Sequence, residues 1–229
     1  MITLRNIQKR YGPNIVLRGV DLDIADGEFV SIMGASGSGK STLLNVIGAL
    51  DSQYEGTATV AGHDLQKLSD RAISAFRNTT IGFVFQSFHL LPHLTCGQNV
   101  ALPAYFNRAM TEQDIARQVD VCLEHVGLSH KKGEFPLHLS GGERQRIAIA
   151  RALFNSSKIM LCDEPTGALD SKTGAQIMDL FGSLNRKTGV TLIIVTHAPE
   201  VSALADRVIH IVDGVIASDT RKGAPEAKP

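Results

Sequence analysis

The chain has 229 residues, enough for one domain with a substantial buried core. Lys+Arg and Asp+Glu both total 23, so the formal net charge is zero, which argues against a dedicated nucleic-acid binder and its usual basic excess. The three distant cysteines, Cys96, Cys122 and Cys162, match neither metal-ligand spacing nor a disulfide framework, and apolar runs such as residues 190–195 are too short to cross a bilayer.

In chain order, residues 2–11 alternate loosely, with Ile2, Leu4 and Ile7 apolar, and read as a half-exposed strand. Gly12-Pro13-Asn14 is a turn. Residues 17–24 form a second strand, with Leu22 and Ile24 inward and Asp21 and Asp23 outward. Tyr11, between the two, suits either stacking on a flat base or the edge of the core. After the tight turn Asp26-Gly27, residues 28–33 read as a buried strand, so an antiparallel β layer is expected at the N-terminus.

The next stretch, Gly34-Ala35-Ser36-Gly37-Ser38-Gly39-Lys40-Ser41, fits a phosphate-binding loop. A polyphosphate must be wrapped by backbone N–H donors, and glycines let the chain approach and turn. Successive N–H groups form an anion nest, and the dipole of the following helix adds to it. Lys40 supplies a charge for the β- and γ-phosphates, and Ser41 a hydroxyl for Mg²⁺. Thr42 completes the binding stretch. Leu43, Leu44, Ile47 and Leu50 then recur at helical spacing, so the loop sits between a strand and a helix.

Residues 56–60 read as a short strand and 61–63 as a turn. Ser69-Asp70 followed by Ala72, Ile73 and Phe76 predicts a capped helix. Residues 81–85 are a buried strand ending at Gln86, which is placed to reach Mg²⁺ or an attacking water. From residue 87 to about 156 strand-like runs give way to helical periodicity, clearest from Thr111 to Val126 (Ile115, Val119, Val121, Leu123 and Val126 apolar, Gly127 the stop), and predict an inserted helical subdomain. The apolar cluster at residues 88–94 is either its core or a docking surface.

Leu139-Ser140-Gly141-Gly142-Glu143 opens a further helix and presents a hydroxyl and free N–H groups, a second anion site or an ordinary cap. Residues 159–164 are four apolar residues ending in Asp163-Glu164. Beside a phosphate loop, Asp163 is aimed at Mg²⁺ and Glu164 at the attacking water as general base. Pro165 ends the strand. Asp170 lies in a turn before a helix at 171–184, and a buried strand at 190–196 ends at His197, whose imidazole is placed to contact a γ-phosphate. Residues 207–212 and 215–218 form a hairpin about Asp213-Gly214, and the segment 220–229 is expected to be disordered.

Along residues 1–219 these motifs, in this order, resemble the ATP-binding-cassette ATPases. The resemblance implies an α/β P-loop NTPase core (about 1–86 and 157–219), an N-terminal antiparallel β layer and an inserted α-helical subdomain (about 87–156). It implies ATP and Mg²⁺ as ligands. It also implies that Tyr11 stacks on adenine, Gln86 links Mg²⁺ and water to the helical subdomain, and His197 is the switch histidine. Ser140, Gly141 and Gly142 match the signature that reads the ATP held by the opposite subunit of a head-to-tail homodimer, and Asp170 matches the loop touching that subunit. Residues 81–92 with Asn99-Val100, and residues 163–170, look like the MacB/LolD/FtsE-type group. In that group the ATPase sits at the cytoplasmic face of the inner membrane, bound to a permease with a large extracytoplasmic domain. Gly167 stands where many cassettes carry Ser or Asn. Cell-division regulators share these residues. Nucleic-acid-associated cassettes carry long insertions not found here, and no nucleic acid is expected as partner. The Asn-Lys-x-Asp of a GTPase does not occur.

Overall fold

The computed structural model describes residues 1–106 and 110–222. Two sheets are layered with helices. The smaller is antiparallel, in the order β2-β1-β4-β5, from β1 (Ile2–Tyr11), β2 (Asn14–Ile24), β4 (Glu55–Val60) and β5 (His63–Asp64). The larger has the order β10-β9-β3-β8-β7-β6, from β3 (Phe29–Met33), β6 (Ile81–Phe85), β7 (Ile159–Asp163), β8 (Thr191–Thr196), β9 (Arg207–Val212) and β10 (Val215–Arg221). Its pairings are parallel except for β10 on β9.

The large sheet is covered on both faces, as a parallel sheet requires, and its strands read as continuous apolar runs for that reason. Alternate residues divide between two cores. Val30, Ile32, Leu161, Ile193 and Val195 face the antiparallel sheet and α1 (Lys40–Ile47). Phe29, Met160, Cys162, Leu192 and Ile194 face the helices α3 (Cys96–Ala101), α4 (Glu112–His125), α5 (Gly141–Leu153) and α6 (Ser171–Thr188). The remaining helices are α2 (Asp70–Thr80) and the short α7 (Pro199–Ser202). Between residues 87 and 156 the described residues form helices and turns only. Ser69, Thr111 and Ser140 cap α2, α4 and α5 through side-chain oxygens, the last two in capping boxes.

Several expectations shift. Gly48 ends α1, so Leu50 lies beyond it and is half exposed. Val121 is exposed because Val119, Cys122, Leu123 and Val126 define the buried face of α4. Asn14 belongs to β2 rather than to the turn. α6 runs to Thr188, a turn beyond the expected end, and stops at Gly189 with φ +69°. β10 also continues through Thr220 and Arg221, paired with Val208 and Arg207, so the segment expected to be disordered from residue 220 starts as strand. Its residues 223–229 lie outside the described residues.

Arg207 joins the layers. It is buried, and its guanidinium donates to Asp219 at 2.7 and 2.6 Å, to Glu28 at 3.2 Å and to the Asp23 carbonyl of β2 at 2.8 Å. The guanidinium holds the Asp219 carboxyl below its ordinary value. That contribution is complete above pH ~4 and fades as pH falls through the lowered folded value. Arg207→Met should cost about 3 kcal/mol in urea unfolding, the low end for a broken buried pair because Asp219 is partly exposed. The variant should also lose less stability than the parent protein between pH 5 and pH 2, at roughly the acid range where carboxylates titrate.

Candidate active site

The loop at residues 34–41 is seated on two pieces of backbone. A methyl group on Gly34 would lie 2.3 Å from the Ile211 carbonyl oxygen of β9. On Gly39, whose φ is +105°, it would lie 2.9 Å from Leu17 Cδ2 and 3.0 Å from the Val16 carbonyl oxygen. The turn after β9 is tied in as well, with the Gly214 amide donating to the Ser38 carbonyl at 3.1 Å and the Arg18 amide to the Gly214 carbonyl at 2.9 Å. Gly39 is the N-cap of α1 and offers no side-chain oxygen, so the helix presents its first N–H groups uncapped. Lys40 is buried and its ammonium rests on the Gly34 and Ala35 carbonyls, both at 2.8 Å. The Ser38 hydroxyl is buried without a hydrogen-bond partner among the described residues. Uncapped amides, a buried cation with no carboxylate partner among the described residues and an unpartnered hydroxyl together fit a polyphosphate anion.

Parallel register brings the other groups level with this loop. Met33 pairs with Thr196, Asp163 with Val195 and Phe85 with Asp163, so the carboxyl ends of β3, β8, β7 and β6 finish side by side. Asp163 Oδ1 lies 3.1 Å from the Ser41 hydroxyl. Burial pushes its carboxyl above the ordinary value, the Ser41 hydrogen bond opposes this, and the Glu164 charge adds to it. Two hard oxygen donors beside a phosphate cradle suit Mg²⁺, which takes few protein ligands and completes its shell with phosphate and water. Among the described residues no cluster of three His, Cys, Asp or Glu forms a dedicated metal cage.

Glu164 is held at both oxygens. The Thr196 hydroxyl donates to Oε2 at 3.1 Å, and His197 Nδ1 lies 2.7 Å from Oε1. Glu164 itself has φ +47°, a left-handed conformation that a residue with a Cβ adopts at a cost of roughly 1 kcal/mol or more. The Glu164 amide donates to the Val195 carbonyl at 2.9 Å, which fixes this turn to the end of β8.

Other expected residues lie further out. Tyr11 is half exposed, and its hydroxyl donates to Asp51 at 2.8 Å beside the Thr42 side chain. The ammonium of Lys9, paired to Asp51 at 2.7 Å, lies 4.7 Å from the centroid of the Tyr11 ring. Gln86 follows β6 and approaches Gly167, where a methyl group would lie 2.9 Å from its Nε2; it makes no hydrogen bond to Ser41 or Asp163 among the described residues. The glycines of residues 140–142 pack on the segment 166–173, with Gly142 facing Thr173 and Gly141 facing Leu169. Ser140 and Glu143 close a capping box, so the Ser140 hydroxyl is engaged within its own helix. Asp170 is the N-cap of α6, accepting from the Thr173 amide at 3.0 Å. No hydrogen bond joins residues 140–142 to the loop at 34–41 among the described residues.

Thr196, Lys9 and Asp51 escaped the sequence reading. Thr196 carries a usable signal, a hydroxyl on the last residue of an apolar strand just before His197. Lys9 and Asp51 are joined only by the fold, across 42 positions of the chain.

The sequence profile of the family described as ABC transporter matches residues 17–167. The chain is 48% identical over 225 residues to a protein of Bacillus subtilis named uncharacterized ABC transporter ATP-binding protein YvrO, covering 96% of this chain and 97% of that one. It is 45% identical over 233 residues to the macrolide export ATP-binding/permease protein MacB 1/2 of Paracoccus denitrificans, of which it spans about a third, 35% of the length. Among solved structures, the dimeric post-hydrolysis state of the ATP-binding cassette MJ0796 bound to ADP and Pi superposes with a TM-score of 0.87 at 42% identity, covering 98% of this chain and all of that one. Among the described residues no helix is long and apolar enough to cross a membrane.

Gly39→Ala tests the seat of the loop directly. The added methyl group meets Val16 and Leu17 and suffers the left-handed penalty of ~1–2 kcal/mol, about tenfold in an equilibrium constant. A fluorescent-nucleotide titration should therefore show affinity reduced about tenfold or more with the fold retained in far-UV circular dichroism.

Proposed function

The chain belongs to the ABC transporter family, whose cassettes bind and hydrolyse ATP, and on that premise we propose that it dimerises around ATP and drives a membrane permease of the MacB type. The observation that carries this reading is the Glu164 carboxylate, held at both oxygens by Thr196 and His197, one residue beyond an Asp163 that faces the hydroxyl of Ser41.

In this reading ATP lies along residues 34–42. The backbone N–H groups and Lys40 bind the β- and γ-phosphates, Ser38 finds its missing partner there, and the exposed face of Tyr11 stacks on adenine. Ser41 and Asp163, with Gln86 drawn in, would hold Mg²⁺, which supplies charge neutralisation on the β- and γ-oxygens. Glu164 accepts a proton from water as the water oxygen bonds to the γ-phosphorus and the bond to the β–γ bridging oxygen breaks, releasing ADP and phosphate. Thr196 fixes the carboxylate. His197 uses Nδ1 for Glu164 and turns Nε2 to the γ-phosphate.

That no hydrogen bond joins residues 140–142 to the loop at 34–41 among the described residues supports their action in trans. The signature of a second copy would close over the γ-phosphate with Asp170 beside it, and the dimeric form of MJ0796 supports the same arrangement. The permease is expected at a groove of about 470 Å³ lined by Phe83, Phe85, His89, Phe106 and Arg151. Phe106, strongly exposed, lines it, its neighbour Tyr105 is exposed as well, and Leu91 and Pro92 lie exposed on the segment after Gln86. In this reading the chain works at the cytoplasmic face of the membrane, with a permease as its partner and no nucleic acid. The names of the relatives point to efflux as the work performed, macrolide export for MacB and pyoverdine export for PvdT of Pseudomonas fluorescens.

Glu164→Gln keeps the shape and removes the base. Its steady-state turnover should fall by ~10²–10³, the usual loss for one such group, while nucleotide affinity stays within about twofold. With ATP present it should elute as a dimer in light-scattering chromatography. Turnover equal to that of the parent protein would remove Glu164 from the base role.

A further inference from the structure

Helix α5 begins at the signature residues and ends beside the segment that follows Gln86, about 18 Å away at 1.5 Å per residue. It packs on β6 at backbone distance: a methyl group on Gly82 would lie 2.4 Å from the Ala152 carbonyl oxygen. Two of its polar side chains reach that segment, and a third reaches the residue just ahead of Gln86. The Arg144 guanidinium lies 5.3 Å from the centroid of the Phe88 ring. Gln145, fully buried, donates to the Pro165 carbonyl at 2.6 Å and reaches the Phe85 carbonyl at 3.5 Å, with its own Oε1 unpartnered among the described residues. Arg151, two turns beyond Arg144, donates from Nη2 to the Phe88 carbonyl at 2.8 Å and from Nη1 to the His89 carbonyl. Those two carbonyls belong to consecutive left-handed residues, Phe88 with φ +57° and His89 with φ +49°. Neither is glycine, so the turn is costly unless something holds it. The guanidinium fork of Arg151, which forms no salt bridge among the described residues, is spent on holding it.

We propose that Arg151 is a positioning residue for hydrolysis: its fork holds the Phe88–His89 turn left-handed, so that Gln86 and the groove beside it follow α5 when residues 140–142 engage nucleotide. The inference rests on the reading of the site given above. α5 then acts as a rod. One end reads the nucleotide of the opposite subunit, Gln145 in the middle grips the turn after Glu164, and Arg151 at the far end grips the segment after Gln86.

A nitroxide attached at Ser87→Cys tests this in the full chain, since the three native cysteines are buried. Arg151→Met should mobilise the label without nucleotide, lower turnover about tenfold and leave nucleotide affinity within about twofold. Arg151→Lys, which keeps one donor, should be intermediate in both. Adding His89→Gly to Arg151→Met removes one left-handed penalty and should recover turnover severalfold, which a merely space-filling Arg151 would not allow. An immobile label in Arg151→Met or Arg151→Lys overturns the inference, whether or not the unsubstituted protein hydrolyses ATP. Loss of turnover that His89→Gly leaves untouched also overturns it. Absence of turnover in the unsubstituted protein overturns the reading of the site instead, and the label still decides the role of Arg151.

Discussion

Backbone must come close to an anion, and most of the architecture follows from that constraint. The loop at residues 34–41 has no room for side chains at Gly34 and Gly39 because Ile211, Val16 and Leu17 press against it from below. Those residues come from β9 and β2, which belong to different sheets, so the loop is shaped only when both layers are assembled. Arg207 then matters beyond its own ion pairs. It ties β9 and β10 to the Asp23 carbonyl of β2 and to Glu28 ahead of β3, and so holds the floor of the nucleotide site.

Parallel pairing does the second part of the work. β3, β8, β7 and β6 end at one level, which delivers the loop, Thr196, Asp163 and the start of the Gln86 segment to one edge of the sheet. Glu164 is the residue just past that edge. Its left-handed conformation is the local cost of turning a carboxylate back over the site, and the bonds from Thr196 and His197 hold it there. The same device recurs at Phe88 and His89, again left-handed and again held by polar side chains from elsewhere. Strain thus occurs at two points on the same edge, each secured by a different element.

Much of this was legible in the sequence because local chemistry and fold agree. The glycines and Lys40 of the loop, the apolar run into Asp163-Glu164 and the caps at Ser69, Thr111 and Ser140 each need only their neighbours to be read. The ladder connecting β7 to β8 was not legible, and with it the pairing of Glu164 to Thr196. The Lys9–Asp51 pair that holds Tyr11 depends on β1 meeting the segment after α1. Arg151 gives no signal in the sequence, because its partners are carbonyls, and carbonyls leave no mark there. Asp170 shows the reverse: its local capping role is visible in the fold, while its reading as a contact with a second copy concerns a surface beyond one chain.

The central claim is that one chain carries two halves of different sites. Mixing two inactive variants tests it most directly: Lys40→Ala, which lacks the loop cation, and Gly141→Asp, which blocks the signature. In a head-to-tail heterodimer one site contains both defects and the other contains neither. Each variant alone should be inactive, and the mixture should recover ATP turnover that rises with the proportion of heterodimer. A mixture as inactive as its components would contradict it.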